Sequence, residues 1–258
     1  MKFKFDLPNK IKNFIFDSEL EEIGIGCSDS QVIKIKKKDN YYFLKIASKN
    51  LLTQEYNALK WLDGKLSVPQ IVMYEFNNTA EFLITTAIKG EMVCSEYYLS
   101  HPNETIKVIA EAFKNIYNVK IDDCPFNVAL EYKLNLVKNN VKNNLIILDN
   151  IKEETLNRFN NLENIIDYLE KNKFEEELCF SHGDTSLPNI FANNSEFSGF
   201  IDVGECGIAD KWFDLAICEK SIVRNFGDLY VSKFYDAIGI KRNASKIDYY
   251  LLMMELYL

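Results

Sequence analysis

The sequence predicts an α+β chain of two lobes, small and mainly β at the N-terminus, larger and mainly α beyond it. Three observations carry this. Up to residue 88, short runs rich in β-branched and aromatic residues recur: QVIKIKK, YYFLKIA, IVMYEF and AEFLITTA. Such runs, bounded by turn residues, read as strands. After Ile88-Lys89-Gly90 the period changes, and long stretches space apolar residues three and four apart, as one helix face does. At 258 residues and 47% hydrophobic composition, the chain has enough apolar side chain to bury both lobes. The expected lobes are residues 1–88 and 89–258.

In chain order, the turn-rich IGIGCSDS precedes the first two strands. LLTQEYNALKWLDGKL then sets Leu52, Tyr56, Leu59 and Leu62 on one helical face, with Gly64 as the stop and Pro69 soon after. IVMYEF and AEFLITTA return to strand through Asn77-Asn78. In the second lobe, ETIKVIAEAFKNIY places Ile106, Ile109, Phe113 and Ile116 at helical spacing. The Asn-rich stretch at 139–144 reads as a helix end or loop. LNRFNNLENIIDYLEK repeats the helical spacing with Leu156, Phe159, Leu162, Ile165 and Leu169. A polar loop, SHGDTSLP, separates LCF from NIFANN. GFID follows, then a helical run, KWFDLAICEKSIV, and two further helices.

Composition excludes several function classes. The formal net charge is −8, which makes the chain a poor partner for nucleic acid phosphates. The six cysteines include no C-x-x-C pair and only two histidines accompany them, so a Cys/His zinc site is not expected. Reduced thiols suit a cytoplasmic location. MKFKFDLPNK lacks the apolar core of a signal peptide. No apolar run approaches the roughly 20 residues that span a bilayer.

The chemistry concentrates after residue 181. Asp184, Asn189 and Asp202 lie on a loop and at the end of a short hairpin, a pattern able to gather three oxygen-bearing side chains. Carboxylate and amide oxygens suit Mg²⁺, which completes its shell with water and phosphate. An Asp left outside that shell can take a proton from a hydroxyl. Base, metal-bound Asn and metal-bound Asp are the parts of phosphoryl transfer. Each residue alone also reads as a turn cap.

With SHGD, NIF, GFID and ADKWFD in this order, the sequence resembles the aminoglycoside phosphotransferases, a kinase-like family, and within it the branch that phosphorylates a 3′-hydroxyl. His182-Gly183-Asp184 stands where protein kinases carry His-Arg-Asp, and Asp202-Val203-Gly204 where they carry Asp-Phe-Gly. The resemblance implies a two-lobed protein-kinase-like fold and an ATP-dependent enzyme that uses Mg²⁺ and confers antibiotic resistance, with GTP as an open second donor. Asp184 would be the catalytic base, Asn189 and Asp202 the metal ligands, and His182 and Asp214 the supports of the catalytic loop. Lys45, on a strand that otherwise reads as buried, needs anionic partners; Glu55 and the ATP phosphates would supply them. Ser28 would meet the β-phosphate, Phe43 the adenine, and Thr86 to Ile88 the adenine edge.

The acceptor is expected to be a cationic small molecule, so carboxylates should line its site. The resemblance points to Glu154 and Glu255. Glu205 stands where close members have arginine and adds a further acid. Met254 replaces one member of a terminal acidic pair, and Leu258 extends the usual end by one residue. The alternative keeps the chemistry and changes the acceptor to a metabolite hydroxyl such as choline, homoserine or a sugar. The chain is expected to act as a monomer or a homodimer.

Overall fold

A computed structural model describes residues 1–24, 30–148 and 151–257. Its elements run α1 (Asn9–Ile15), β1 (Glu19–Ile23), β2 (Gln31–Lys37), β3 (Asn40–Ser48), α2 (Thr53–Leu62), β4 (Ile71–Phe76), β5 (Ala80–Thr86), β6 (Glu91–Met92), α3 (Glu96–Ser100), α4 (Pro102–Asn118), α5 (Leu130–Lys142), α6 (Glu153–Phe159), α7 (Leu162–Lys171), β7 (Leu178–Ser181), β8 (Ile190–Asn193), β9 (Glu196–Phe200), β10 (Gly207–Asp210), α8 (Lys211–Phe226), α9 (Leu229–Ile238) and α10 (Ala244–Met254). The chain divides into two compact units: residues 1–91 with 191–205, and residues 92–190 with 206–258.

The first unit is built on an antiparallel five-stranded sheet of order β1-β2-β3-β5-β4. Alternation sorts its faces. Ile33, Ile35, Leu44, Ile46, Ala80, Phe82 and Ile84 turn one way and form the core with Leu7 and Ile11 from the N-terminal segment and α1. The intervening residues, Lys45 and Glu81 among them, therefore face the other way, toward α2. Edge strand β1 is rich in glutamate, and Glu19 meets Lys36 of β2 across the ladder at 3.0 Å. Charge on an edge strand discourages pairing with other chains.

Residues 191–205, expected from the sequence in the second lobe, belong to this unit. Asn194 and Ser195 both have positive φ (51° and 66°), the turn that joins β8 to β9 tightly. Hydrogen bonds then fasten β9: Phe200 N–H donates to Ser67 O (2.9 Å), Ser67 Oγ to Ser198 O (2.6 Å) and Ser198 Oγ to Lys89 O (2.6 Å). Gly90 has φ +94°, and a Cβ there would lie 2.0 Å from the Ala192 carbonyl oxygen, so only glycine fits.

The second unit is mainly helical, with β7 and β10 as an antiparallel pair. Its core draws on Ile109 and Phe113 of α4, Leu134 of α5, Ile165 and Leu169 of α7, and Leu215, Ala216 and Ile222 of α8. The stretch LNRFNNLENIIDYLEK is not one helix, as its spacing suggests, but two. Asn160 adopts φ +65° after α6, and the Asn161 side chain accepts the Asn164 N–H at 2.8 Å to start α7. Asparagine tolerates the left-handed region and is a strong N-cap, so the Asn-Asn pair overrides an unbroken apolar period.

Candidate active site

In the second unit the loop after β7 carries Asp184 and Asn189. Asp184 Oδ1 accepts the Ser186 N–H (3.1 Å), and Oδ2 accepts Asn189 Nδ2 (2.7 Å). Asn189 Nδ2 also donates to the Asp184 carbonyl at 3.1 Å. With the amide nitrogen committed to Asp184, the Asn189 oxygen takes no part in these bonds. Asp184 N–H reaches back to Nδ1 of the buried His182 at 3.2 Å.

Helix α8 holds this loop. Buried Asp214 accepts three donors: Ser181 Oγ (2.9 Å), His182 N–H (2.7 Å) and Gly183 N–H (3.1 Å). One turn of loop further on, Thr185 Oγ donates to the Asp214 carbonyl (2.6 Å), and Leu187 N–H donates to Ser221 Oγ (3.1 Å). Burial raises the Asp214 pKa, against the pull of His182 and the three donors. A buried carboxylate is tolerated where its oxygens are saturated in this way. Ser181, Thr185 and Ser221 were not singled out in the sequence, where a lone hydroxyl carries no signal.

In the first unit Lys45 of β3 bonds Glu55 of α2 at 2.7 Å and Asp202 at 3.1 Å. Burial alone would lower the lysine, but the charges of Glu55 and Asp202 outweigh it and raise its pKa. Glu55 is raised as well, because burial outweighs the attraction of Lys45. Asp202 sits just past β9 with φ +62°, a conformation that aspartate accepts better than most residues. Its side chain is 57% exposed, and only Oδ1 meets Lys45. Phe43, two residues before Lys45, shares its face of β3 and is half-buried opposite Thr85.

The remaining expected residues are placed as follows. Thr86 ends β5, where its N–H and hydroxyl are both bonded to the Gln70 backbone at 2.9 Å, and Ala87 N–H bonds Tyr41 O. Ile88 is half-buried. Ser28 lies outside the described residues. Glu154 is exposed on the first turn of α6. Glu255 is nearby but committed: its side chain is 7% exposed, accepting the Lys152 N–H at 3.1 Å and meeting Lys152 Nζ at 3.5 Å. Glu205 is exposed in the first unit.

A sheet bearing a lysine–glutamate pair and a helical unit bearing a braced Asp–Asn loop define a kinase-like phosphotransferase. Residues 19–249 match the phosphotransferase enzyme family. The aminoglycoside 3′-phosphotransferase of Enterococcus faecalis is 35% identical over 90% of this chain and 91% of its own. Among solved structures, an aminoglycoside 3′-phosphotransferase of type VIII has a TM-score of 0.82, with 23% identity over 93% of this chain and 94% of that one. An aminoglycoside phosphotransferase from Streptomyces rimosus, with 20% identity over 95% of both chains, has a TM-score of 0.81 and has also been solved in complex with ADP and streptomycin. The chain belongs to the aminoglycoside phosphotransferase family and is an O-phosphotransferase.

Proposed function

We propose that this enzyme transfers the γ-phosphate of ATP to an aminoglycoside hydroxyl, the 3′-hydroxyl, and so confers resistance to the antibiotic. The observation that carries the reading is the Asp184 carboxylate, oriented by Asn189 at 2.7 Å on a loop that Asp214 braces. Asp184 orients the acceptor hydroxyl and takes its proton. Lys45, aimed by Glu55, neutralises charge on the nucleotide phosphates. Phe43 faces the adenine, and the 86–88 backbone borders it. Asn189 and Asp202 are the residues that would hold Mg²⁺; an amide oxygen and an exposed carboxylate are the hard donors this ion prefers. The bound ion would screen the phosphate charge that builds during transfer.

Glu154 and Glu205, both exposed carboxylates, attract the ammonium groups of the acceptor. The engagement of Glu255 with Lys152 favours a secondary role for that residue, as a support for the start of α6 beside Glu154. ADP release measured against a panel of aminoglycosides, with choline and homoserine as controls, tests the reading. Turnover of kanamycin-type acceptors and not of the controls is expected. Turnover of a control alone would overturn the acceptor assignment and leave the phosphotransferase chemistry in place.

A further inference from the structure

We propose that Glu81 is a positioning residue for Lys45: it fixes the first turn of α2 and thereby the reach of Glu55. The inference rests on the role given to Lys45 above. Helix α2 starts at Thr53 after Leu52, an apolar residue that offers its end no side-chain acceptor. The first N–H groups of a helix need acceptors from elsewhere. Glu81, on β5, supplies them from 28 residues away. Its Oε2 accepts the N–H groups of Leu52 (2.6 Å) and Thr53 (3.0 Å), and its Oε1 accepts Thr53 Oγ (2.5 Å) and Tyr74 OH (2.8 Å).

Glu81 as a whole is 3% exposed. Burial works against its charge, but the donors from Thr53, Leu52 and Tyr74 prevail and hold its pKa below the ordinary value. An anion at a helix N-terminus is favoured by the helix dipole. The strand register explains the placement. Glu81 pairs with Ala47 and Leu83 with Lys45, so Glu81 and Lys45 stand on the same sheet face. That face presents a cation to Glu55 and an anion to the helix end two residues earlier. Tyr56 of α2, stacked on Tyr74 of β4 at 4.1 Å and 12°, closes the same turn from the side. With both ends of the turn held, Glu55 has one position from which to meet Lys45.

The test is steady-state kinetics with MgATP and kanamycin on Glu81→Gln, which keeps the volume and removes the charge. The loss of a helix cap sets the scale: kcat/KM for ATP is expected to fall about tenfold, with KM for kanamycin unchanged. On a Lys45→Ala background the same change should cost less than about twofold, because its target is already gone. Thr53→Val removes one donor with little change of shape and should move ATP kinetics the same way by a smaller factor. Thermal melting establishes that each variant is folded at the assay temperature. A folded Glu81→Gln enzyme with wild-type ATP kinetics overturns the proposal, as does an equal loss on the Lys45→Ala background. If Glu81→Gln does not fold, unchanged ATP kinetics in Thr53→Val overturns it. Wild-type turnover by Lys45→Ala alone would instead remove the role given to Lys45.

Discussion

Asn189 donates its side-chain amide to Asp184 Oδ2 at 2.7 Å. The bond turns the amide nitrogen toward the carboxylate and leaves the amide oxygen for another partner. One contact thus orients the candidate base and selects which end of Asn189 can meet a cation. Asp184→Ala should fold normally, since the carboxylate is only half-buried and its partners are Ser186 N–H and Asn189. Its kcat should fall by roughly 10²–10⁴, the range for a missing general base. Single-turnover phosphoryl transfer is the measurement, and near-normal turnover would remove Asp184 from the chemistry.

Lys45→Ala is expected to cut kcat/KM for ATP by about a hundredfold, the scale of one lost electrostatic contact to a phosphoryl group. Without the lysine, the attraction that opposes burial at Glu55 is lost and the carboxyl is pushed further up, toward its neutral form, which limits the cost to folding. Far-ultraviolet circular dichroism alongside the kinetics separates the two effects.

Asp214→Ala leaves Ser181 Oγ and the His182 and Gly183 N–H groups without their acceptor. Buried donors left unpaired cost about 1–3 kcal/mol each at the upper end, so chemical denaturation should show a loss of several kcal/mol. Equal stability of variant and wild type would mean that the loop is held by other contacts.

Glu177 gives a pH signature. The Lys211 ammonium (2.5 Å) and the Trp212 N–H (2.7 Å), with Lys246 at 3.3 Å, hold its carboxyl down at about 2. An unfolded glutamate titrates near 4.3. The folded value is the lower one, so these contacts stabilise fully above about pH 4.3 and the benefit fades as pH falls toward 2. Urea melts of wild type and Glu177→Gln should differ at pH 6, and the gap should shrink below about pH 4 and close only near pH 2. A gap that persists in acid would contradict the assignment. The side chain is half exposed, so the gap should be small and should shrink with salt.

Asn161→Ala removes the cap of α7 and should cost about 1 kcal/mol. Asn160→Gly should be tolerated, since φ +65° suits glycine, whereas Asn160→Val should destabilise by more than about 1 kcal/mol. A calorimetric series over the three variants checks the order.

Strand-forming runs were the most legible part of the sequence. QVIKIKK and IVMYEF match β2 and β4 residue for residue, because short runs rich in β-branched and aromatic residues need no long-range information. Helix α1 is too short to show a period, and β1, ELEEI, hides behind its glutamates. The Asp184–Asn189 pair was readable because both residues sit on one loop. Glu81 was not: in AEFLITT it takes a position that usually faces solvent, and only the approach of α2, from elsewhere in the chain, buries it.

The attachment of β9 to Ser67 and Lys89 has a practical consequence for anyone exchanging halves between relatives. A chimaera joined once, after residue 88, would take its Asp202 from one parent and the Lys45 it meets from the other. An exchange that respects the folded units needs two further junctions, near 190 and 205, so that the hairpin travels with the sheet it is sewn to.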